Sequence, residues 1–184
     1  YQRDQETLIK SLGVSERAAL PGWLHKLLSK SYSEQLAQLT DASRQRPPFT
    51  LRINTERISV DGYHALLTEA GIEARKAGAG GLTLLQPVPV SKLPHFQDGF
   101  VSVQDASAQL AGLLLSPKRG MTVLDACAAP GGKACHLAEL GATVTAADIS
   151  EDRLAKVDEN ANRLNVSITS ILSDGRSLHE VLAP

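Results

Sequence analysis

The chain has 184 residues, 42% of them hydrophobic, and a formal net charge of −1. That composition supports one good core or two small ones in a globular protein and is too apolar for disorder. No run approaches the roughly 18 apolar residues of a membrane helix. The opening Tyr1 to Glu6 is too polar for a signal peptide, and two cysteines with five dispersed histidines give neither a disulfide framework nor a metal-ligand spacing. The expectation is a cytoplasmic protein with no membrane segment and no metal.

Residues 1–120 carry 14 Lys and Arg against 11 Asp and Glu, whereas residues 121–184 carry 5 against 9, and all seven aromatic residues lie at or before Phe100. Such shifts suggest more than one structural unit, and a mildly basic first part is compatible with a nucleic-acid partner.

In chain order, helical spacing is expected over 4–20 and 23–45, with Pro21-Gly22 between them and Leu24, Leu27, Leu28, Leu36 and Leu39 able to share a face. Pro47-Pro48 stops the second helix. Phe49 to Asn54 then alternates like a half-buried strand. Ser59 or Asp61 can cap a short helix that Gly71 ends, and Gly81 to Leu85 and Phe100 to Val103 read as further strands, giving a small α+β module. Asp105 to Leu115 is an apolar helix closed by Ser116-Pro117 and expected to pack on the unit C-terminal to it.

From Met121 the pattern becomes strand (121–126), helix (133–140), strand (143–147), a helix capped by Ser150, and strand (168–172). Strands alternating with crossover helices pair in parallel, so this is the opening of a doubly wound α/β sheet. At the first strand-to-helix junction stands Asp125-Ala126-Cys127-Ala128-Ala129-Pro130-Gly131-Gly132-Lys133. In such sheets ligands bind at that edge, where small residues let the backbone approach and the helix N–H groups face a polar group. The loop lacks the leading glycine and the Ser/Thr of a Walker loop and is not a Gly-x-Gly-x-x-Gly dinucleotide loop. Asp148, 23 positions after Asp125, closes the second strand where an acid can accept from a ribose diol, and Asp174 comes just after the third strand, placed to accept from an adenine amino group. Lys133 opposes the helix dipole, so an anionic contact is its expected purpose. Asp125 can bind the cofactor's amino group or hold the loop through backbone N–H groups, the second being preferred, and Cys127 is read as a small loop residue and Cys135 as core. Trp23, Phe49 and Phe100 are read as core, the histidines as surface or packing residues without carboxylate partners at useful spacing, and Arg44, Arg46, Arg52 and Arg57 as candidate phosphate contacts.

These residues resemble the Nop/Sun family of RNA cytosine-5 methyltransferases, and within it the bacterial Sun branch. Asp125 to Lys133 is nearly the family signature, and the similarity includes Pro47-Pro48, Leu51-Arg52-Ile53-Asn54, Leu93-Pro94 through Gly99, Val103 to Ser107, Asp148, Arg153-Leu154, Asn160 to Leu164 and Asp174-Gly175-Arg176. The resemblance implies a Rossmann-like class I methyltransferase sheet, here its first half over 100–184, preceded by a small RNA-binding module over 47–99. Residues 1–46 would be a helical linker from an upstream NusB-like domain. It implies that Cys127, Ala128, Ala129, Pro130, Gly131, Gly132, Lys133, Asp148 and Asp174 contact S-adenosyl-L-methionine, and that the partner is 16S rRNA, methylated at carbon 5 of a cytosine. The family's two working cysteines lie in later motifs that do not occur before Pro184, so the chain is expected to be a fragment with no catalytic residue and no activity of its own. Ala134-Cys135 stands where the family usually has Thr-Thr. A nucleoside-cofactor Rossmann enzyme of other chemistry and a non-catalytic RNA-binding scaffold are the competing readings.

Overall fold

The computed structural model describes residues 20–181, so the helix expected over 4–20 lies almost wholly outside the described residues. The chain divides into two compact units, residues 1–47 and 48–184. In the first, the stretch expected as a single helix over 23–45 is two: α1 (Gly22–Ser31) and α2 (Leu36–Arg44), separated by a 3-10 turn at Ser33–Gln35. The break falls at Tyr32, whose φ of −140° leaves the helical region. The flanking Ser31 and Ser33 are residues whose hydroxyls compete with helical backbone bonds. Trp23, expected in a core, is 69% exposed.

The second unit opens with a four-stranded antiparallel sheet. Its strands are β1 (Phe49–Ile53), β2 (Ala74–Lys76), β3 (Leu82–Leu84) and β4 (Val101–Val103), in the order β2-β3-β1-β4. Helix α3 (Val60–Glu69) starts at Ser59, whose hydroxyl accepts from the Gly62 N–H, which satisfies one of the donors a helix start leaves open. Leu51, Ile53, Tyr63, Leu67, Leu82, Leu84, Leu93 and Val101 form this module's core, with Phe49 and Phe100 packed against it. Strand β4 lies past the boundary expected at residue 99, yet it pairs with β1 through Leu51 opposite Val103.

The alternation in β1 does not mark a half-buried strand, because both faces are covered. Leu51 and Ile53 face the module core, while Thr50, Arg52, Thr83 and Ser102 on the polar side are also buried. Thr50 and Thr83 hydrogen-bond each other at 3.0 Å across the β1–β3 pair. What covers this side is the start of the second sheet's helical layer: α4 (Ala106–Leu115) packs against β1 and against α5 (Gly132–Glu139). Helix α4 turns Gln109 and Gly112 inward and leaves Leu110, Leu113, Leu114 and Leu115 exposed, so its buried stripe is not its leucines.

The second sheet is parallel, in the order β5 (Thr122–Asp125), β6 (Thr143–Asp148), β7 (Ile168–Leu172). Its crossovers are α5 and α6 (Glu151–Leu164), and a short α7 (Leu178–Val181) comes after β7. Val144 pairs with Val123 on one side and Ile168 on the other. Val144, Ala146, Leu137, Leu154 and Val157 make its core. The module is seated on this sheet's helices by close backbone approach: a Cβ at Gly99, whose φ is +75°, would lie 2.7 Å from the Arg163 carbonyl oxygen and 3.0 Å from Leu164 Cα. Arg163 donates back to the carbonyls of Phe96 at 2.7 Å and Val101 at 3.0 Å, and its guanidinium lies 4.1 Å from the centre of the Phe96 ring. Among the described residues no helix is long and apolar enough to cross a membrane, and no cluster could hold a metal.

Candidate cofactor site

Three parallel strands end side by side at Asp125, Asp148 and Leu172, and the loops leaving them form one edge. Asp125 accepts from the Cys127 N–H at 3.4 Å, the loop-holding contact expected of it. Ala128 donates to the Ala147 carbonyl at 3.0 Å, which ties the loop to β6. Gly131 then turns at a φ of +95°, where a Cβ would sit 3.1 Å from Val157 Cα; glycine is needed both for the turn and for the closeness of α6.

Helix α6 holds the loop from outside. Arg153 donates to the Ala129 carbonyl at 3.0 Å and Asn160 to the Pro130 carbonyl at 2.9 Å. With Val157 they occupy one helical stripe at positions i, i+4 and i+7. That spacing was available in the sequence, but polar residues on an amphipathic helix ordinarily face water and give no local sign of a loop to hold.

Helix α5 begins at Gly132 with no side-chain cap. Its first N–H groups therefore point out of the helix with the positive end of its dipole, and exposed Lys133 stands in the same turn. This is a donor set for an anion such as a carboxylate. Cys127 is exposed in the loop.

Asp148 is 2% exposed. Its carboxylate accepts from the Ala129 N–H at 3.1 Å and the Ser150 N–H at 3.2 Å, with Arg153 3.7 Å away. Burial opposes its ionisation, but those N–H groups and the Arg153 guanidinium outweigh it and hold the carboxyl below the usual carboxylate range. Asp148 thus fixes the loop's shape from beneath. Asp174 is half-buried, and the Arg176 side chain, with its backbone N–H, grips it and draws its pKa down to about 2. At the ends of β6 and β7 two apolar side chains that sequence reasoning missed are exposed: Ile149 at 67% and Leu172 at 54%. Exposed apolar side chains at the strand ends, the Asp174 carboxylate and an uncapped helix suit a planar nucleoside base carrying an amino-acid tail, so the residues present fit S-adenosylmethionine.

Arg52 is not a phosphate contact. It is 4% exposed and paired with Glu139, whereas Arg44, Arg46 and Arg57 remain exposed. His95 does have a carboxylate partner, Asp98, at 2.8 Å.

Residues 20–91 match the RsmF/B-like ferredoxin-like methyltransferase domain, and residues 112–184 match the 16S rRNA methyltransferase RsmB/F domain. The chain belongs to the RsmB/F methyltransferase family. Curated RsmB/F relatives include ribosomal RNA small subunit methyltransferase B of Escherichia coli K12 and of Shigella sonnei. Each is 44% identical over 181 residues, 96% of this chain and 42% of the relative. The chain thus spans less than half the length of these relatives. Among solved structures, a methyltransferase homologue from Pyrococcus horikoshii superposes with a TM-score of 0.78 at 27% identity, over 91% of this chain and 57% of its own. NSun6 from the same organism superposes with a TM-score of 0.78 at 18% identity, over 87% of this chain and 67% of its own, and shares the fold.

Proposed function

We propose that these residues supply the S-adenosylmethionine cradle and part of the RNA-binding surface of an enzyme that methylates carbon 5 of a cytosine in 16S rRNA. The observation that carries this reading is the edge formed by the Ala126 to Gly132 loop, the uncapped start of α5, and the acids at the ends of β6 and β7. The relatives named as small-subunit rRNA methyltransferases support the substrate. When bound, S-adenosylmethionine supplies an electrophilic methyl group on a sulfonium. The chain's own residues bind and orient it. The N–H groups at the start of α5, with Lys133, take the amino-acid carboxylate. Ile149 and Leu172 face the base, and Asp174 accepts from its amino group. Asp148, buried beneath the loop, keeps Cys127 to Gly132 in register through Ala129.

Neither cysteine suits the nucleophile that cytosine chemistry requires, since addition at carbon 6 needs a thiolate. Cys135 is 1% exposed in the core, and burial pushes its thiol up to about 11. Cys127 lies within the loop that is to receive the cofactor. The nucleophile therefore belongs to the family's later cysteine motifs, and residues 1–184 alone are expected to transfer no methyl group.

Titration calorimetry of the intact protein with S-adenosylmethionine, NAD and ATP tests the cofactor. Heat with S-adenosylmethionine alone is expected, and Asp148→Ala should weaken it by roughly tenfold or more, as lost charge-assisted hydrogen bonds do. Binding of NAD or ATP in its place would sink the reading. Radiolabel transfer to 16S rRNA, mapped to the base, tests the position of methylation.

A further inference from the structure

The buried polar side of β1 carries more than its own strand pairing needs. Arg52 spends all five of its N–H donors inside the protein. Nε and Nη2 make a fork to the Glu139 carboxylate at 3.0 and 2.9 Å. Nη2 also reaches Ser102 Oγ at 3.4 Å, and Nη1 donates to Gln104 Oε1 at 2.7 Å and to the Gly132 carbonyl at 2.9 Å. A guanidinium has five such hydrogens and no more, so nothing is left for a phosphate.

The contact to Gly132 has a geometric consequence. The Gly132 carbonyl and the Lys133 N–H belong to one planar peptide unit, so fixing the direction of the first fixes the second. Lys133 N–H is one of the uncapped donors at the start of α5. The fork to Glu139, in the last turn of the same helix, prevents Arg52 from swinging away, because a bidentate pair constrains both position and plane.

We propose that Arg52 is a positioning residue for the cofactor. Acting from the ferredoxin-like module through the Gly132 carbonyl, it orients the backbone N–H groups that receive the cofactor's anionic end. The module is therefore a structural part of the cofactor site as well as an RNA-binding element. This inference rests on the cofactor assignment above.

The test uses the intact protein and two variants, Arg52→Lys and Leu67→Ala. Lysine keeps the charge beside Glu139 but cannot reach Glu139, Gln104 and Gly132 together. Leu67 is fully buried in the module core with Leu51 and Ile53, whose side chains alternate with Arg52 along β1, so it reports loss of stability. Arg52→Lys should raise the Kd for S-adenosylmethionine about tenfold and leave the Kd for 16S rRNA within twofold. It should also speed amide exchange over Cys127 to Leu137 with no cofactor added. Leu67→Ala should lower Tm with cofactor Kd and loop exchange near those of the parent. Should Arg52→Lys fail to fold, Glu139→Gln, which loosens the guanidinium from its other side, should show the same pattern to a smaller degree.

Unchanged cofactor affinity and loop exchange in a folded Arg52 or Glu139 variant would overturn the proposal. So would an equal loss of affinity in Leu67→Ala, or a larger loss of RNA than of cofactor affinity. If the parent protein gave no heat with S-adenosylmethionine, the cofactor assignment would fall, while the exchange measurement would still decide whether Arg52 holds the loop.

Discussion

Acidification from pH 6.5 to about 4 should destabilise this protein through His136. Its ring is 7% exposed on α5, its Nδ1 has no partner, and it abuts Gly112 of α4 so closely that a Cβ there would lie 2.7 Å from Nδ1. Burial first, and then the Arg52 cation, bring its pKa from the ordinary 6.5 down to about 4. An unfolded chain takes up the proton near the ordinary value, whereas the folded one does not until about pH 4. Above pH 6.5 both states are neutral and the contribution is fully present. Between 6.5 and about 4 the unfolded state binds the extra proton, and stability falls by about 1.4 kcal/mol per pH unit. Across the whole gap the loss is about 3 kcal/mol, a large share of a typical small domain's stability. Urea unfolding at pH 7.0, 6.0, 5.0 and 4.5, comparing the parent with His136→Leu, measures it. The parent should lose midpoint steadily below about pH 6.5 and the variant should be nearly flat over that range. An equal slope in both would refute the assignment of that window to His136.

Gly112→Ala should destabilise: about 1 kcal/mol of helix propensity is gained, but a methyl pressed on a buried imidazole costs about 1–3 kcal/mol, and a rise in Tm would contradict the packing described. Gly131→Ala combines a φ of +95° with contact on Val157 Cα, so it should lower stability by about 1–3 kcal/mol and weaken cofactor binding in the same calorimetric titration. Native-state titration with a thiol reagent should modify Cys127 rapidly and Cys135 only on unfolding, since Cys127 is exposed and Cys135 is 1% exposed with its thiolate disfavoured by burial.

The α/β order of the second sheet, its strand ends and the glycine-rich loop were all legible in the sequence. The signals there are local: a strand of apolar residues, a turn that only glycine adopts, a helix with one apolar stripe. Strand β2 was not legible. Ala74-Arg75-Lys76 has no β-branched or aromatic residue, and it is a strand only because β3 offers it a ladder. The role of Arg52 was misread for a related reason. Thr50 and Arg52 alternate with Leu51 and Ile53 as a solvent-facing set would. The partners that bury them, Thr83, Ser102, Gln104 and Glu139, lie from 33 to 87 positions away. A short window cannot distinguish water from a distant helix as the neighbour of a polar side chain. The place of Asp148 at the end of β6 was legible, but its bond to Ala129 depends on how the loop folds back over β6, which spacing alone does not specify.

The seam at Gly99 bears on how such proteins exchange parts. A relative with a side chain at that position would need a different path for the Arg163 to Leu164 backbone, since the present one lies within 3.0 Å of where a Cβ would stand. A recombinant taking its module from one parent and its parallel sheet from another would bring together two surfaces never selected against each other. Residues 99 and 163 should therefore descend together, and hybrids joined between β4 and α4 should yield soluble protein mainly when the parent that supplies the module carries glycine at position 99.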